Sequence, residues 1–267
     1  MNYTSVDHTF MICAYQENPY LEKCILSILN QNVLGNIKIS TSTPNTYILN
    51  LSQKYNIPLV INVGKGDAVD NFNFAYSKAD TALVTLCHQD DYYESDYLEN
   101  ILQTANKAKC PIIIYTDYFE DRNGKRVELN KLLIIKRILN FPLRFALLRK
   151  SKWIRRKVLS FGCPICCPAV TYDKTHIYGV PFREGYLGGS FDWDAWLRLA
   201  QFDGEFAYCS KKAMGHRIWE GSATTKSIEN HLRDNDEYKI LSELWPDALA
   251  KLIFSVYHKS QRSNRME

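Results

Sequence analysis

Between residues 129 and 172 the chain contains no aspartate or glutamate, yet ten lysines and arginines fall there: Lys131, Lys136, Arg137, Arg144, Arg149, Lys150, Lys152, Arg155, Arg156 and Lys157. The whole sequence has 33 basic and 29 acidic residues, so 23 basic residues face 29 acidic ones elsewhere, a net of −6 outside the segment. This asymmetry excludes an evenly mixed surface and implies one cationic lobe on a mildly acidic body. No uncharged apolar run reaches the roughly 20 residues of a membrane-spanning helix, and the amino terminus lacks a basic start followed by an apolar core. The expectation is a cytosolic protein that is not integral to a membrane. Eight cysteines are scattered along the chain, several inside apolar runs, which excludes a disulfide framework and suits small buried hydrophobes in a reducing compartment. Cys163, Cys166 and Cys167 invite a structural zinc, but four ligands are needed and no second closely spaced pair follows. There is no internal repeat and no low-complexity linker, and 267 residues with 46% apolar content bury one full core.

What is present alternates. Residues 9–14, 37–41, 57–63, 81–87 and 111–116 are short apolar or β-branched runs that read as strands. Between them, residues 18–29 place Leu21, Ile25, Ile28 and Leu29 on one helical face, and residues 45–55 do the same with Ile48, Leu49 and Leu51. A shorter helix over 72–78 follows the Gly64-Lys65-Gly66 loop. Strands alternating with such helices imply parallel βαβ units, so the fold class is α/β with a Rossmann-like sheet. After a turn at Asp121-Arg122-Asn123-Gly124, residues 129–139 form a basic amphipathic helix, broken by Pro142 before a second stretch over 143–150. A strand over 167–172, a helix from Ser190 to about residue 202, a strand over 205–209 and helices over 228–257 complete the reading. It is one domain over 1–267, with a nucleotide-binding half over 1–125, an acceptor and catalytic half over 126–225, and carboxyl-terminal helices over 226–267.

Asp90 and Asp91 stand just past the apolar run 81–87. Open α/β sheets bind ligands at the carboxyl ends of their strands. Two adjacent acids there need a cation or a ring of donors, and hard oxygen ligands suit Mg²⁺ or Mn²⁺ carrying a substrate's phosphates. A solvated turn with a local cap is the competing reading. The basic segment 129–157 reads as an element for an anionic membrane surface, against a solvated helix face. Nucleic acid is disfavoured because the interleaving is aliphatic and no nucleic-acid module accompanies it.

Four motifs in order carry a family resemblance. Phe10-Met11-Ile12-Cys13-Ala14-Tyr15-Gln16-Glu17, with the helix behind it, resembles the opening of glycosyltransferase family 2, whose fold is called GT-A. His88-Gln89-Asp90-Asp91 resembles its acidic metal motif, Gly189-Ser190-Phe191-Asp192-Trp193-Asp194 its catalytic helix, and His216-Arg217 with Gly221-Ser222-Ala223-Thr224 its carboxyl-terminal loop. The resemblance implies that Ala14, Tyr15 and Glu17 face the nucleotide, Tyr15 by stacking on the base. Ser42 lies in a run of hydroxyls, Ser40-Thr41-Ser42-Thr43, where the family has an acid. Asn73 matches the family's asparagine, with Phe72 in place of the preceding arginine. His88 replaces the first acid, which leaves Asp90, Asp91 and His216 to hold Mn²⁺ or Mg²⁺. Trp219 stands where a histidine is frequent. Arg217 is expected to clamp phosphate, with Ser222 and Thr224 donating to it. Asp192 is the expected catalytic base, and Asp194 a supporting or capping residue.

Sugar transfer from a nucleotide diphosphate needs a base for the acceptor hydroxyl and a counter-charge for the leaving group. One base and one metal imply inversion at the anomeric carbon. The expected activity is therefore transfer from a UDP- or dTDP-sugar to a hydroxyl of a lipid-linked or oligosaccharide acceptor in bacterial surface polysaccharide synthesis. The expected location is peripheral, at the inner face of the cell membrane. A nucleotidyltransferase of related fold is the first rival, but the opening loop lacks a glycine-rich basic run. A non-catalytic membrane-surface module is the second, and has no use for four motifs in family order.

Overall fold

The computed structural model describes residues 2–186, 188–222 and 231–261. The first half builds as the alternation predicts: β1 His8–Ala14, α1 Leu21–Leu29, β2 Asn36–Thr41, α2 Thr46–Lys54, β3 Leu59–Ile61, α3 Ala68–Ser77 and β4 Leu83–His88. Local chemistry sets the boundaries. The Asn45 side chain accepts from the Ile48 N–H at the start of α2, and Asp67 accepts from the Asp70 N–H at the start of α3, four residues earlier than the apolar pattern indicates. After the short β5 Tyr92–Tyr93 comes α4 Tyr97–Lys107, which the sequence reading passes over although Leu98, Ile101, Leu102 and Ala105 share its buried face. Next come β6 Pro111–Arg122 and β7 Lys125–Val127, joined through Asn123 and Gly124, both at positive φ (53° and 80°) as a tight hairpin turn requires.

The second half is α5 Lys131–Asn140, a 3-10 turn at Phe141–Arg144, α6 Ala146–Lys150, α7 Lys152–Leu159, β8 Val170–Asp173, α8 Phe191–Leu199, β9 Glu205–Ile218, α9 Leu232–Leu244 and α10 Asp247–Gln261. Pro142 does end α5, because it lacks the N–H that a continuing helix needs. The strand expected over 167–172 begins later, since Pro168 sits in a 3-10 turn at Cys167–Ala169. The strand expected to stop near Cys209 continues to Ile218, bending where Ser210 and Lys211 are exposed.

One nine-stranded sheet runs β3-β2-β1-β4-β8-β6-β9-β5, with β7 on β6. β1 pairs in parallel with β2 and β4, β2 with β3, and β6 with β9; β8 is antiparallel to both β4 and β6. β1 is buried on both faces, as the continuous apolar run implies: Phe10 and Ile12 pack with Leu21, Ile25 and Ile101, while Met11 packs with Val84, Leu86 and Ile113 on the other side. Among the described residues no helix is long and apolar enough to cross a membrane.

The basic segment departs from its expected form. Arg155 is fully buried and donates to the Gly204 and Phe202 carbonyls at 2.9 and 2.7 Å. Arg149 pairs with Glu205 and Arg137 with Asp117, each at 2.6 Å, and Lys152 reaches Asp203 at 2.7 Å. A stretch without acids in sequence meets acids in space, so its charges are not ten free surface cations.

Candidate active site

The site is assembled by a register, not by neighbours in sequence. β4 ends at His88, and the chain turns through Asp90 and Asp91 into β5, which pairs antiparallel with β9 through Tyr92↔Gly215 and Tyr93↔Met214. That pairing sets Asp91 against His216. It requires Gly215, because a Cβ there would stand 2.5 Å from the Tyr92 ring. Asp91 Oδ1 accepts from the Arg217 backbone N–H at 2.8 Å and lies 3.1 Å from His216 Nδ1, while His88 Nδ1 stands 3.9 Å from Oδ2. Burial alone would raise the Asp91 carboxyl; His216, His88 and the Arg217 N–H outweigh it and hold the group below the ordinary carboxylate range. Burial likewise disfavours charged His216, but Asp91 beside it lifts its pKa above the usual imidazole value. His88 goes the other way: burial lowers its pKa, opposed by the charges of Asp91 and Asp90. Asp91 Oδ2 and His88 Nε2 are buried without a hydrogen-bond partner.

Asp90 accepts from Trp219 Nε1 at 2.9 Å, and burial together with the Asp91 charge pushes its carboxyl upward. Arg217, expected to clamp a phosphate, is a brace instead. It is 5% exposed and does not line the cavity; its Nε donates to the Asp90 carbonyl at 2.9 Å and its Nη1 to Asp121 at 2.8 Å, with the Tyr20 ring 4.0 Å away. A guanidinium held from three sides inside the protein positions the acidic turn.

From this acidic turn a cavity of about 520 Å³ extends to Asp192, with Asp90, Glu120, His216 and Ser222 also in its lining. Asp192 lies in the first turn of α8, where its Oδ1 accepts from the Trp193 N–H at 2.7 Å. Burial raises its carboxyl, opposed by the charge of Arg233, the Trp193 N–H and Lys136. Arg233 pairs with Glu237 at 2.8 Å, and Lys136 donates to the Tyr118 hydroxyl at 3.0 Å. Asp194 faces the other way: 3% exposed, it is bound by Arg183 and by Arg198 Nε at 3.1 Å, and accepts from Tyr186 at 3.2 Å. Two acids two residues apart thus have different tasks, because helical spacing turns their side chains apart.

The other candidates lie on the same rim or beside it. Ala14 pairs with Thr41 and Cys13 with His88, so Tyr15, Ser42 and the acidic turn share one edge of the sheet. Tyr15 is 46% exposed, and its backbone is held in both directions by the Gln89 amide at 2.9 Å. Glu17 is exposed. Ser42 Oγ is buried without a partner. Asn73 spends its amide on the Phe182 backbone, donating at 2.8 Å and accepting at 3.1 Å, and so ties α3 to the loop before α8. Trp193 and Trp196 are both core residues, 1% and 0% exposed. Ala223 and Thr224 lie outside the described residues. The sequence reading missed Lys136, Arg233 and Tyr118. For Lys136 a signal existed: it stands four residues after Leu132, a polar residue at an inward position of α5.

A divalent cation is the group the fold implies. Among the described residues no three histidine, cysteine or acidic side chains converge to cage a metal. A magnesium-type ion needs only one or two carboxylates, with substrate phosphates and water completing its shell. The orphaned Asp91 Oδ2, beside Asp90, fits that demand. Cys163, Cys166 and Cys167 also line the cavity, but burial pushes their thiols up, away from the thiolate form that binds metal.

The sheet, the acidic turn and the helix-borne acid define a glycosyltransferase of the GT-A type. The sequence profile of glycosyl transferase family 2 matches residues 9–167, more than half the chain, and the chain belongs to that family. In structure it is similar to S. aureus TarS 1-349 (TM-score 0.62, 13% identity, covering 97% of this chain and 72% of that one) and to the same fragment in complex with UDP-GlcNAc (0.61, 14%, 97% and 73%). It is also similar to the mannosyltransferase PcManGT from Pyrobaculum calidifontis in complex with GDP-Man and Mn²⁺ (0.63, 10%, 99% and 77%). No curated protein matches the chain in sequence.

Proposed function

We propose that this protein is an inverting, metal-dependent glycosyltransferase that moves a sugar from a UDP- or dTDP-sugar to a hydroxyl of a membrane-associated glycan acceptor, lipid-linked or oligosaccharide. The setting is bacterial surface polysaccharide synthesis at the cytoplasmic face of the membrane. The observation that carries this reading is one cavity lined both by the acidic turn, through Asp90, and by the half-buried Asp192 carboxylate.

The nucleotide lies along the rim of Ala14, Tyr15, Glu17 and Ser42, with Tyr15 against the base and Ser222 near the diphosphate. Asp90 and Asp91 hold Mn²⁺ or Mg²⁺, with His216 as a further ligand or as the group that orients Asp91. When bound, the ion neutralises charge on the departing diphosphate. Asp192 takes the proton of the acceptor hydroxyl as that oxygen attacks the anomeric carbon from the face opposite the leaving group. Burial suits it to this role, because a raised carboxyl is a stronger base than an exposed one. Arg233 and Lys136 favour its ionised form against that burial. Arg217, Asn73 and Asp194 act indirectly, by holding the acidic turn, the loop before α8 and α8 itself.

A panel of nucleotide-sugars tested with Mn²⁺ for thermal stabilisation and slow donor hydrolysis identifies base and sugar together. Stabilisation by UDP or dTDP compounds is expected. Stabilisation by purine nucleotides alone would overturn the base assignment, and none at all would overturn the reading.

A further inference from the structure

The outer face of the basic segment carries a dense load of exposed apolar side chains. Ile138, Phe141, Phe145, Leu147 and Trp153 are 66%, 52%, 51%, 83% and 65% exposed. Phe141 and Phe145 pack edge to face at 5.4 Å, and the Arg144 guanidinium lies 5.9 Å from the Phe141 ring. A groove beside them is lined by Ile134, Ile138, Phe141 and Tyr208. Single exposed hydrophobics are ordinary on a protein surface; five within sixteen consecutive residues, two of them in ring contact, mark a site of contact.

The charges around the cluster say what it contacts. Lys131, Arg144, Arg156 and Lys157 make no ion pair among the described residues, and Lys157 lies over the Trp153 and Trp245 rings at 5.8 and 4.5 Å. The groove has one acid, Asp117, already neutralised by Arg137 at 2.6 Å. Exposed aromatic and leucine side chains interspersed along the segment with cations that make no ion pair, and with no acid between residues 129 and 172, complement an anionic bilayer, apolar inside and negative at its surface.

We propose that Ile138, Phe141, Phe145, Leu147 and Trp153 insert into the headgroup layer of an anionic membrane, with Lys131, Arg144, Arg156 and Lys157 against lipid phosphates. This deepens the membrane partner of the proposed function and rests on that reading. It also changes the mode of attachment. With Arg137, Arg149 and Arg155 committed to partners within the protein and Lys152 paired with Asp203 at the surface, insertion of apolar surface carries the binding and charge assists it. The placement has a consequence for the acceptor. α5 presents Ile134 and Ile138 outward, while Lys136 on its other side lines the catalytic cavity. One helix diameter, about 10 Å, thus separates the bilayer surface from the cavity, and an acceptor anchored in the membrane reaches Asp192 from the headgroup layer.

Cosedimentation of the full chain with phosphatidylcholine–phosphatidylglycerol vesicles tests this. Binding is expected to persist from about 0.1 M to about 1 M salt, where the Debye length falls to about 3 Å. The double variant Phe141→Ser/Leu147→Ser should lose about 100-fold in partitioning, against about tenfold or less for Arg156→Gln/Lys157→Gln. Trp153 fluorescence should shift to the blue on vesicles, and Trp153→Phe should remove that shift. Release by high salt, equal loss from the charge variant, or no sedimentation would each overturn the proposal. So would a dimer of this chain that Phe141→Ser/Leu147→Ser dissolves, since the patch would then join two copies. UDP-dependent thermal stabilisation, read on the same samples, separates the two readings: UDP binding without vesicle binding sinks only the insertion.

Discussion

Asp91, beneath the cavity's acidic turn, and Asp192, in its lining, are carboxylates under opposite regimes. At the acidic turn, Asp91 is pulled below its ordinary pKa by two imidazoles and a backbone N–H, and its neighbour Asp90 is pushed above. At the far end Asp192 has one backbone N–H and cations that reach it through space, so burial prevails and its carboxyl rises. The first end is a charge frame built before any substrate arrives. The second, on the proposed reading, is where the acceptor's proton goes. Donor chemistry needs fixed charge, whereas acceptor activation needs a titratable group.

Substitutions can break this contrast, beginning with the largest effect. Asp192→Asn should lower kcat by about 10²- to 10⁴-fold while leaving UDP affinity within a few-fold, read by steady-state kinetics and calorimetry. Asp194→Asn should instead lower the melting temperature, since it removes the buried carboxylate that pairs with both Arg183 and Arg198. A variant at Asp192 that keeps more than a tenth of turnover would move the base elsewhere.

Asp91→Ala should cost about 3–5 kcal/mol of stability, because it strands the His216 ring and the Arg217 N–H in a buried site. It should also abolish the tightening of UDP binding by Mn²⁺. Equal UDP affinity with Mn²⁺ and with a chelator in the parent protein would refute the metal assignment.

A smaller effect separates the ends by pH. The ionised Asp192 that accepts a proton exists only above its raised pKa, so kcat should fall as pH drops through a value above the ordinary carboxylate range. Lys136→Met removes a cation that favours the ionised form, and should move that acidic limb upward by about one pH unit or less. At the other end the signs combine differently. Asp91, depressed, contributes stability above its unfolded pKa of about 3.9, and that is lost as pH falls through the folded value. His216, raised, contributes below about 6.5, and that is lost as pH rises through the folded value. The pair should therefore stabilise most between about pH 4 and 6.5. His216→Asn should flatten the dependence of melting temperature on pH in that window, while Asp192→Asn leaves it in place.

Much of this architecture was legible. The strands β1, β2 and β4 show as apolar runs, and α1 and α2 as faces spaced three and four residues apart, because both patterns come from burial against one sheet. β9 was half legible. Its polar interruption at Ser210 and Lys211 looks like a loop, yet in the fold it is an exposed bend in a continuous strand. Asp90, Asp192, His216 and Ser222 were found through motif order and do line one cavity. Arg217 was expected to meet phosphate, and nothing local reveals that it bonds Asp121 and the Asp90 carbonyl. Arg233 and Tyr118 carried no local signal.

The sequence by itself determined the class of sheet, the acidic turn past β4 and the helix that carries Asp192 in its first turn, since periodicity, caps and adjacent charges act over a few residues. It also determined that residues 129–172 would be rich in uncompensated charge along the chain. Only the tertiary structure decided which of those charges stay free, because Asp117, Asp203 and Glu205 arrive from other strands and loops. It likewise decided that Asp91 faces His216, 125 residues away, through a two-residue strand whose pairing depends on the missing side chain of Gly215. Charge patterns in sequence are one-dimensional, whereas Coulomb attraction and hydrogen bonding depend on distance in space, and the fold sets that distance.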